Sequence, residues 1–174
     1  MRLDFLILAF VFVVLGCDKP SSTPASVAAS SAVAAEAINE PQPKLPTLKL
    51  WIGAQEMVTE IARTLMEHER GMMFRKQMGE QEGMIFIFPQ PKRTAFWMKN
   101  TRVPLTAAYI DSNGILLELH ELKPFDETPA TAASDKVRYV LEVPQGWFVR
   151  HKLGVGTIIR TERGSLEETF FGTR

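Results

Sequence analysis

The chain has 174 residues, 20 Lys plus Arg against 20 Asp plus Glu, and a single cysteine. With no net charge there is no bulk field to draw in nucleic acid, so no nucleic-acid partner is expected. One cysteine rules out an internal disulfide and a cysteine-based metal cluster within the chain, and the length suits one ordinary domain.

Phe5 to Leu15 is almost wholly apolar, too short to span a bilayer comfortably, and reads as the hydrophobic region of an export signal, although Arg2 is offset by Asp4. At its end Val14-Leu15-Gly16-Cys17 resembles a bacterial lipobox. That resemblance implies a signal peptide over 1–16, lipidation of Cys17 and a membrane partner held through the N-terminal lipid. Asp18 resembles the retention signal of enteric-type lipoproteins, which implies the periplasmic face of the inner membrane in a host using that rule. The plainer alternative is a short buried helix ending in an ordinary thiol.

From Asp18 to Thr47 there are seven Ala, five Ser and five Pro in thirty residues, with no aromatic side chain. Such a segment has too little apolar surface to offset its ordering entropy. Residues 17–47 therefore read as a lipidated cysteine and flexible linker, with a span of roughly 30 Å.

A mainly β domain is expected over 48–162. Leu48 to Ile52 and Met57 to Ala62 alternate as strands do. Thr64 and Glu67 form a Thr-x-x-Glu capping box for a short helix from Leu65 to about Met72, with Gly71 near its exit. Met84 to Phe88 is apolar at every position, as in a central strand covered on both faces. Leu105 to Ile110 and Ile115 to Glu121 flank Asp111-Ser112-Asn113-Gly114, whose Asn-Gly step suits a tight hairpin. Pro124 to Asp135 reads as a surface loop. Arg138 to Val143 resumes the strand pattern, a short helix follows over Trp147 to Lys152, and Thr157 to Thr161 is a last strand. Residues 163–174 read as a loose C-terminal tail despite Phe170 and Phe171.

Phe96-Trp97-Met98-Lys99-Asn100-Thr101-Arg102-Val103-Pro104-Leu105 is the most informative run. Read as a strand, it puts Phe96, Met98 and Asn100 on a core face and Trp97 and Lys99 on the other. Together with Glu69-Arg70-Gly71-Met72-Met73, Gly83 to Phe88, Tyr109 to Gly114, Tyr139-Val140-Leu141-Glu142 and Gly154-Val155-Gly156, it resembles the domain-of-unknown-function family 192 over roughly Leu48 to Thr161. The resemblance implies a compact jelly-roll or sandwich-like β domain with one or two short helices, and no established reaction. Thr106 stands where many members of that family carry an aspartate.

Several side chains are candidates for binding. Tyr139, Leu141 and Val143 share a face, so Glu142 points away from them, as Lys99 does from its own core face. Opposite charges on neighbouring strands would make either an ordinary cross-strand pair or, beside Trp97, a polar clamp for a small ligand. Asn100 either holds the turn before Pro104 or contacts a ligand. Arg70 can take a carboxylate or phosphate bidentately, and equally suits the helix end it occupies. Asp111 fits its turn better than it fits acid catalysis.

Met72, Met73, Met78, Met84 and Met98 raise a Cu(I) reading, with Met73, Met98 and His68 as its best ligands, but methionine also fills irregular cores, no repeated ligand spacing is present, and His68, His120 and His151 form no paired motif. No nucleophile elbow, phosphate loop, His-Glu-x-x-His or catalytic cysteine arrangement occurs. The expectation is a tethered periplasmic binding or accessory domain without catalysis, cofactor or metal, recognising a small molecule or envelope protein through Arg70, Trp97, Lys99, Asn100 and Glu142. The alternatives are a hydrolase using Lys99 and Glu142, and a Cu(I)-handling protein using Met and His.

Overall fold

A computed structural model describes residues 39–172. Cys17, Asp18 and the apolar stretch before them lie outside the described residues, and with them the signal, lipid-anchor and localisation expectations. Among the described residues no helix is long and apolar enough to cross a membrane.

The elements follow in the order β1 (Thr47–Ile52), β2 (Gln55–Ala62), α1 (Leu65–Arg70), β3 (Glu82–Ile87), β4 (Ala95–Phe96), β5 (Leu105–Ile110), β6 (Leu116–Leu122), β7 (Ala130–Thr131), β8 (Tyr139–Pro144), α2 (Trp147–Arg150), β9 (Ile159–Thr161), β10 (Gly164–Ser165) and α3 (Leu166–Phe171). Eight strands form one curled sheet in the order β10-β9-β1-β2-β3-β8-β5-β6, and β4 pairs with β7 as a separate ribbon. The domain is mainly β and sandwich-like with few helices, as expected. Neighbours in the sheet are antiparallel except β2 and β3, which run parallel and are joined through α1. A parallel pair needs such a crossover, whereas β5 and β6 need only their hairpin turn.

Each face of the sheet has its own core. On one, Leu48, Leu50, Ile52, Met57, Ile85, Ile110, Leu141 and Val143 pack with Trp147 and Phe148 of α2 and Leu166 and Phe170 of α3. On the other, Met84, Phe86, Leu105, Ala107, Tyr109 and Val140 pack with Met72, Met98, Val103 and Ala132. The central strands β3, β5 and β8 therefore lie between two dry layers, and every residue of β5 is buried. That is why Met84 to Ile87 is apolar without alternation.

Local signals form as the sequence predicts. Thr64 caps α1, its hydroxyl accepting from Glu67 N–H while the Glu67 carboxylate accepts from Thr64 N–H at 2.8 Å. Asp111 Oδ1 accepts from Asn113 and Ile115 N–H at 2.9 and 2.8 Å and fixes the β5–β6 turn.

Three expectations change. The tail is structured: Ser165 caps α3, and Leu166 and Phe170 are buried in the first core. The linker is shorter than 17–47, because Gln42 Nε2 donates to the Gly71 carbonyl at 2.8 Å and Leu45 N–H to Glu60 Oε2 at 2.7 Å. The Phe96 to Leu105 run is not a continuous strand. β4 stops at Phe96, and Asn100 adopts φ 52°, a left-handed turn that asparagine tolerates better than most residues.

Candidate functional site

The site is built over β8 on the second face. Glu142 lies opposite Met84 of β3 and Ala107 of β5, 4% exposed. Its Oε2 has no hydrogen-bond partner. Burial alone pushes this carboxyl up from its ordinary value to about 8, so it is mostly protonated at neutral pH. A small hollow of about 30 Å³ lies against it.

The walls come from three segments. Strand β3 supplies Phe86, whose ring meets Phe96 edge-on with centroids 4.8 Å apart. Helix α1 and its exit supply His68, Arg70 and Met72. His68 is half-buried, its ring edge-on to Phe86 and Phe88, and its Nε2 sits 3.1 Å from the Ala62 carbonyl oxygen. Burial holds this imidazole below its usual range, and nearby Lys92 lowers it further against the opposing Ala62 hydrogen bond. Gly71 ends α1 at φ 42°, where an added Cβ would touch the Phe86 ring at 3.4 Å, so glycine lets the chain turn close over that ring. The segment after β4 supplies Trp97 and Thr101. Trp97 is 44% exposed and walls two hollows, the one over Glu142 and another of about 180 Å³ lined by Met98, Glu121, Lys123 and Asp126.

The predicted residues are only partly gathered here. Arg70, Trp97 and Glu142 line one pocket. Lys99 does not pair with Glu142 across the sheet: its Nζ lies 5.2 Å from the centre of the exposed Trp97 ring, while Glu142 is under the sheet's second core. The reason is that β8 is covered on both faces, so the side opposite Leu141 is not solvent. The placing of Asn100 on a core face is likewise corrected. It is exposed, and its backbone carbonyl accepts from Phe74 N–H at 2.8 Å. Arg70 sits at the end of α1 with its guanidinium 5.9 Å from the Phe74 ring.

Phe86, Phe96 and Thr101 were not expected at a shared site, and His68 and Met72 entered only the Cu(I) reading. The apolar ones carry no sequence signal separate from core packing. Met72, Met84 and Met98 are buried in the second core, and no group of three His, Cys, Asp or Glu among the described residues is placed to hold a metal ion. Thr106, in the family's aspartate position, donates to Glu121 Oε1 at 2.8 Å and accepts from Gly146 N–H at 2.9 Å. It ties β5 to β6 and α2 and does not face Glu142. A larger hollow of about 670 Å³ between β1 and β9, lined by Trp51, Leu153, Ile158 and Arg160, has no buried titratable side chain facing it.

Known proteins resemble this domain without supplying an activity. No curated protein matches the chain. A candidate transcription regulator from Sinorhizobium meliloti 1021 is 28% identical with a TM-score of 0.66, over 69% of this chain and 97% of that one. A protein of unknown function from Novosphingobium aromaticivorans DSM 12444 is 31% identical with a TM-score of 0.64, over 70% of this chain and 89% of that one. A family model described as an uncharacterized ACR matches residues 49–161, so the chain belongs to the domain-of-unknown-function family 192, for which no specific function is supported.

Proposed function

We propose that this protein is a non-catalytic binding domain whose recognition site is the pocket between Trp97 and Glu142. One observation carries the reading: Glu142, a residue only 4% exposed with one carboxyl oxygen unpartnered, lines a hollow that the exposed Trp97 indole also lines. A buried polar atom without a partner costs about 1–3 kcal/mol, which a ligand's hydrogen bond would recover. An aromatic rim and one directional polar group are ordinary elements of a small-molecule site.

Hydrolysis by Lys99 and Glu142 finds less support. General acid–base chemistry asks for a second group within hydrogen-bond reach of the reacting atoms. Lys99 lies against the Trp97 ring, and His68 commits Nε2 to Ala62. The proposal also keeps the membrane tether at Cys17 and the periplasmic face, on the strength of the Val14-Leu15-Gly16-Cys17 and Asp18 pattern.

A thermal-shift screen of the full-length chain against sugars, amines, metal ions, nucleotides and peptidoglycan fragments tests the site, with Trp97→Ala and Glu142→Gln alongside. A stabilising ligand whose effect is lost in both variants is expected. One that acts equally on both variants places recognition elsewhere. For the tether, mass spectrometry of membrane-extracted protein should find an acylated Cys17 at the N-terminus, and an unprocessed Met1 would refute it.

A further inference from the structure

The hollow over Glu142 is small, and its size restricts what can enter. About 30 Å³ is open to the centre of a water-sized sphere, against the roughly 10–15 Å³ that one water needs, so the inner end admits a compact polar head. Two acceptors face it. One is the Glu142 carboxyl, whose shielded Oε2 is unpartnered, and the other is Thr101 Oγ1, which gives its own proton to the Lys99 carbonyl at 3.0 Å and keeps lone pairs for an incoming donor. Phe86, Phe96, Trp97 and Met72 add an aromatic and thioether wall, and His68, Glu69 and Arg70 of α1 also line the hollow. Ring faces and thioethers tolerate a cation, and a cation close to several rings is attracted by their quadrupoles.

We infer that this pocket takes the primary ammonium group of a small amine, donating to Glu142 and Thr101 between the rings of Phe86, Phe96 and Trp97. The inference rests on the binding reading above and names the ligand's chemistry. An ammonium group carries three donors and no acceptor, which matches two acceptors and a ring wall better than an amide or hydroxyl does.

Charge supports the same assignment. The titratable groups around Glu142 are His68, Glu69 and Arg70 from α1 and Tyr109 from β5. Burial lowers His68, disfavouring its charged form, and burial and then Glu142 and Glu118 raise Tyr109. Glu69 and Arg70 carry opposite formal charges. Desolvation is the one cause that moves Glu142, so an entering ammonium supplies the counter-charge that its carboxylate otherwise lacks. The proton balance follows: protonated Glu142 gives its proton to solvent as the amine enters, leaving a carboxylate beside an ammonium. No other bond is made or broken.

The test is a titration of the full-length chain with methylammonium chloride from pH 6 to 9, followed by the amide NMR signals of Trp97 and Glu142, with isothermal calorimetry in two buffers of different ionisation enthalpy. Since only ionised Glu142 binds, affinity should rise about tenfold from pH 6 to pH 7 and level off above about pH 8. Close to one proton per amine should be released at pH 7. Glu142→Gln should abolish binding while keeping a cooperative melt at pH 5. As a second variant at an exposed position, Trp97→Ala should weaken binding about five- to thirtyfold. Tetramethylammonium, which is larger and has no N–H, should be silent. Binding of acetamide with methylammonium silent would overturn the amine assignment and leave the binding reading intact. Methylammonium binding with no pH dependence, or unchanged in Glu142→Gln, would also overturn it. If no probe of any class, including the full screen, acts through Trp97 or Glu142, the binding reading itself fails.

Discussion

Replacing Glu142 by glutamine should change how stability depends on pH, and by an amount the structure sets. The folded carboxyl titrates near 8, against an ordinary value of 4.5. Between those values the native chain holds a proton that the unfolded chain has released, so wild-type stability falls as pH rises through the window. Each unit of difference is worth about 1.4 kcal/mol, and the whole window at most about 5 kcal/mol. Glutamine has nearly the same shape and does not titrate. Its amide leaves a donor as poorly served as the protonated carboxyl, so a pH-independent offset of about 1–3 kcal/mol is superimposed. Other titrating groups cancel, because they are common to both proteins. The difference in unfolding free energy, glutamine variant minus wild type, should therefore climb from pH 4.5 to pH 8, steepest at close to 1.4 kcal/mol per unit in mid-window. Urea unfolding of both proteins at half-unit intervals measures it. A difference that stays flat across the window would mean that Glu142 titrates as a solvated carboxyl, and the pocket described above would be wrong.

Gly114→Ala should destabilise by about 1–3 kcal/mol, because Gly114 sits at φ 79° and an added Cβ would lie 2.5 Å from the Ile159 carbonyl oxygen. Asp111→Ala in the same turn removes the acceptor for two backbone N–H groups and should cost about 1–3 kcal/mol by urea unfolding. Phe170→Ala should cost about 3–5 kcal/mol if α3 is part of the first core, and a loss under 1 kcal/mol would return the C-terminus to a loose tail. Glu60→Ala breaks a bidentate, partly buried pair with Arg75 (3.0 and 2.9 Å) and frees Leu45 N–H. A loss of about 2–4 kcal/mol is expected, with faster hydrogen exchange at Leu45.

Features that depend on a few neighbouring residues were legible in the sequence. The Thr64 capping box, the Asp111 to Gly114 turn and the doubly covered strand at Met84 to Ile87 each follow from local chemistry. The strand order was not legible, because the parallel β2–β3 pairing and the β3–β8–β5 neighbourhood join segments far apart in the chain. The ordered C-terminus was missed although its signal was present. Ser165 and Glu168 repeat the Ser/Thr-x-x-Glu pattern recognised at Thr64, and Phe170 and Phe171 supply apolar surface to bury. The Phe96 to Leu105 run misled in another way. Its alternation imitates a strand, yet Asn100 at φ 52° and Pro104 belong to a loop that carries Trp97 outward.

Glu142 shows why the site itself was read only in part. Its parity against Tyr139, Leu141 and Val143 was read correctly, but the opposite parity was taken for solvent. Val140 shares that parity and is fully buried, which is the local sign that β8 has two dry faces. In such a position an apolar side chain of similar volume would satisfy the fold better, since a buried carboxyl brings a desolvation penalty and an unpartnered oxygen. Among the described residues no donor reaches Oε2, and Ala107, a small side chain, lies directly opposite. A carboxyl kept dry and unserved, with a small neighbour across from it and an indole at the mouth, is poor core packing. It is sound design for receiving a hydrogen-bond donor from outside.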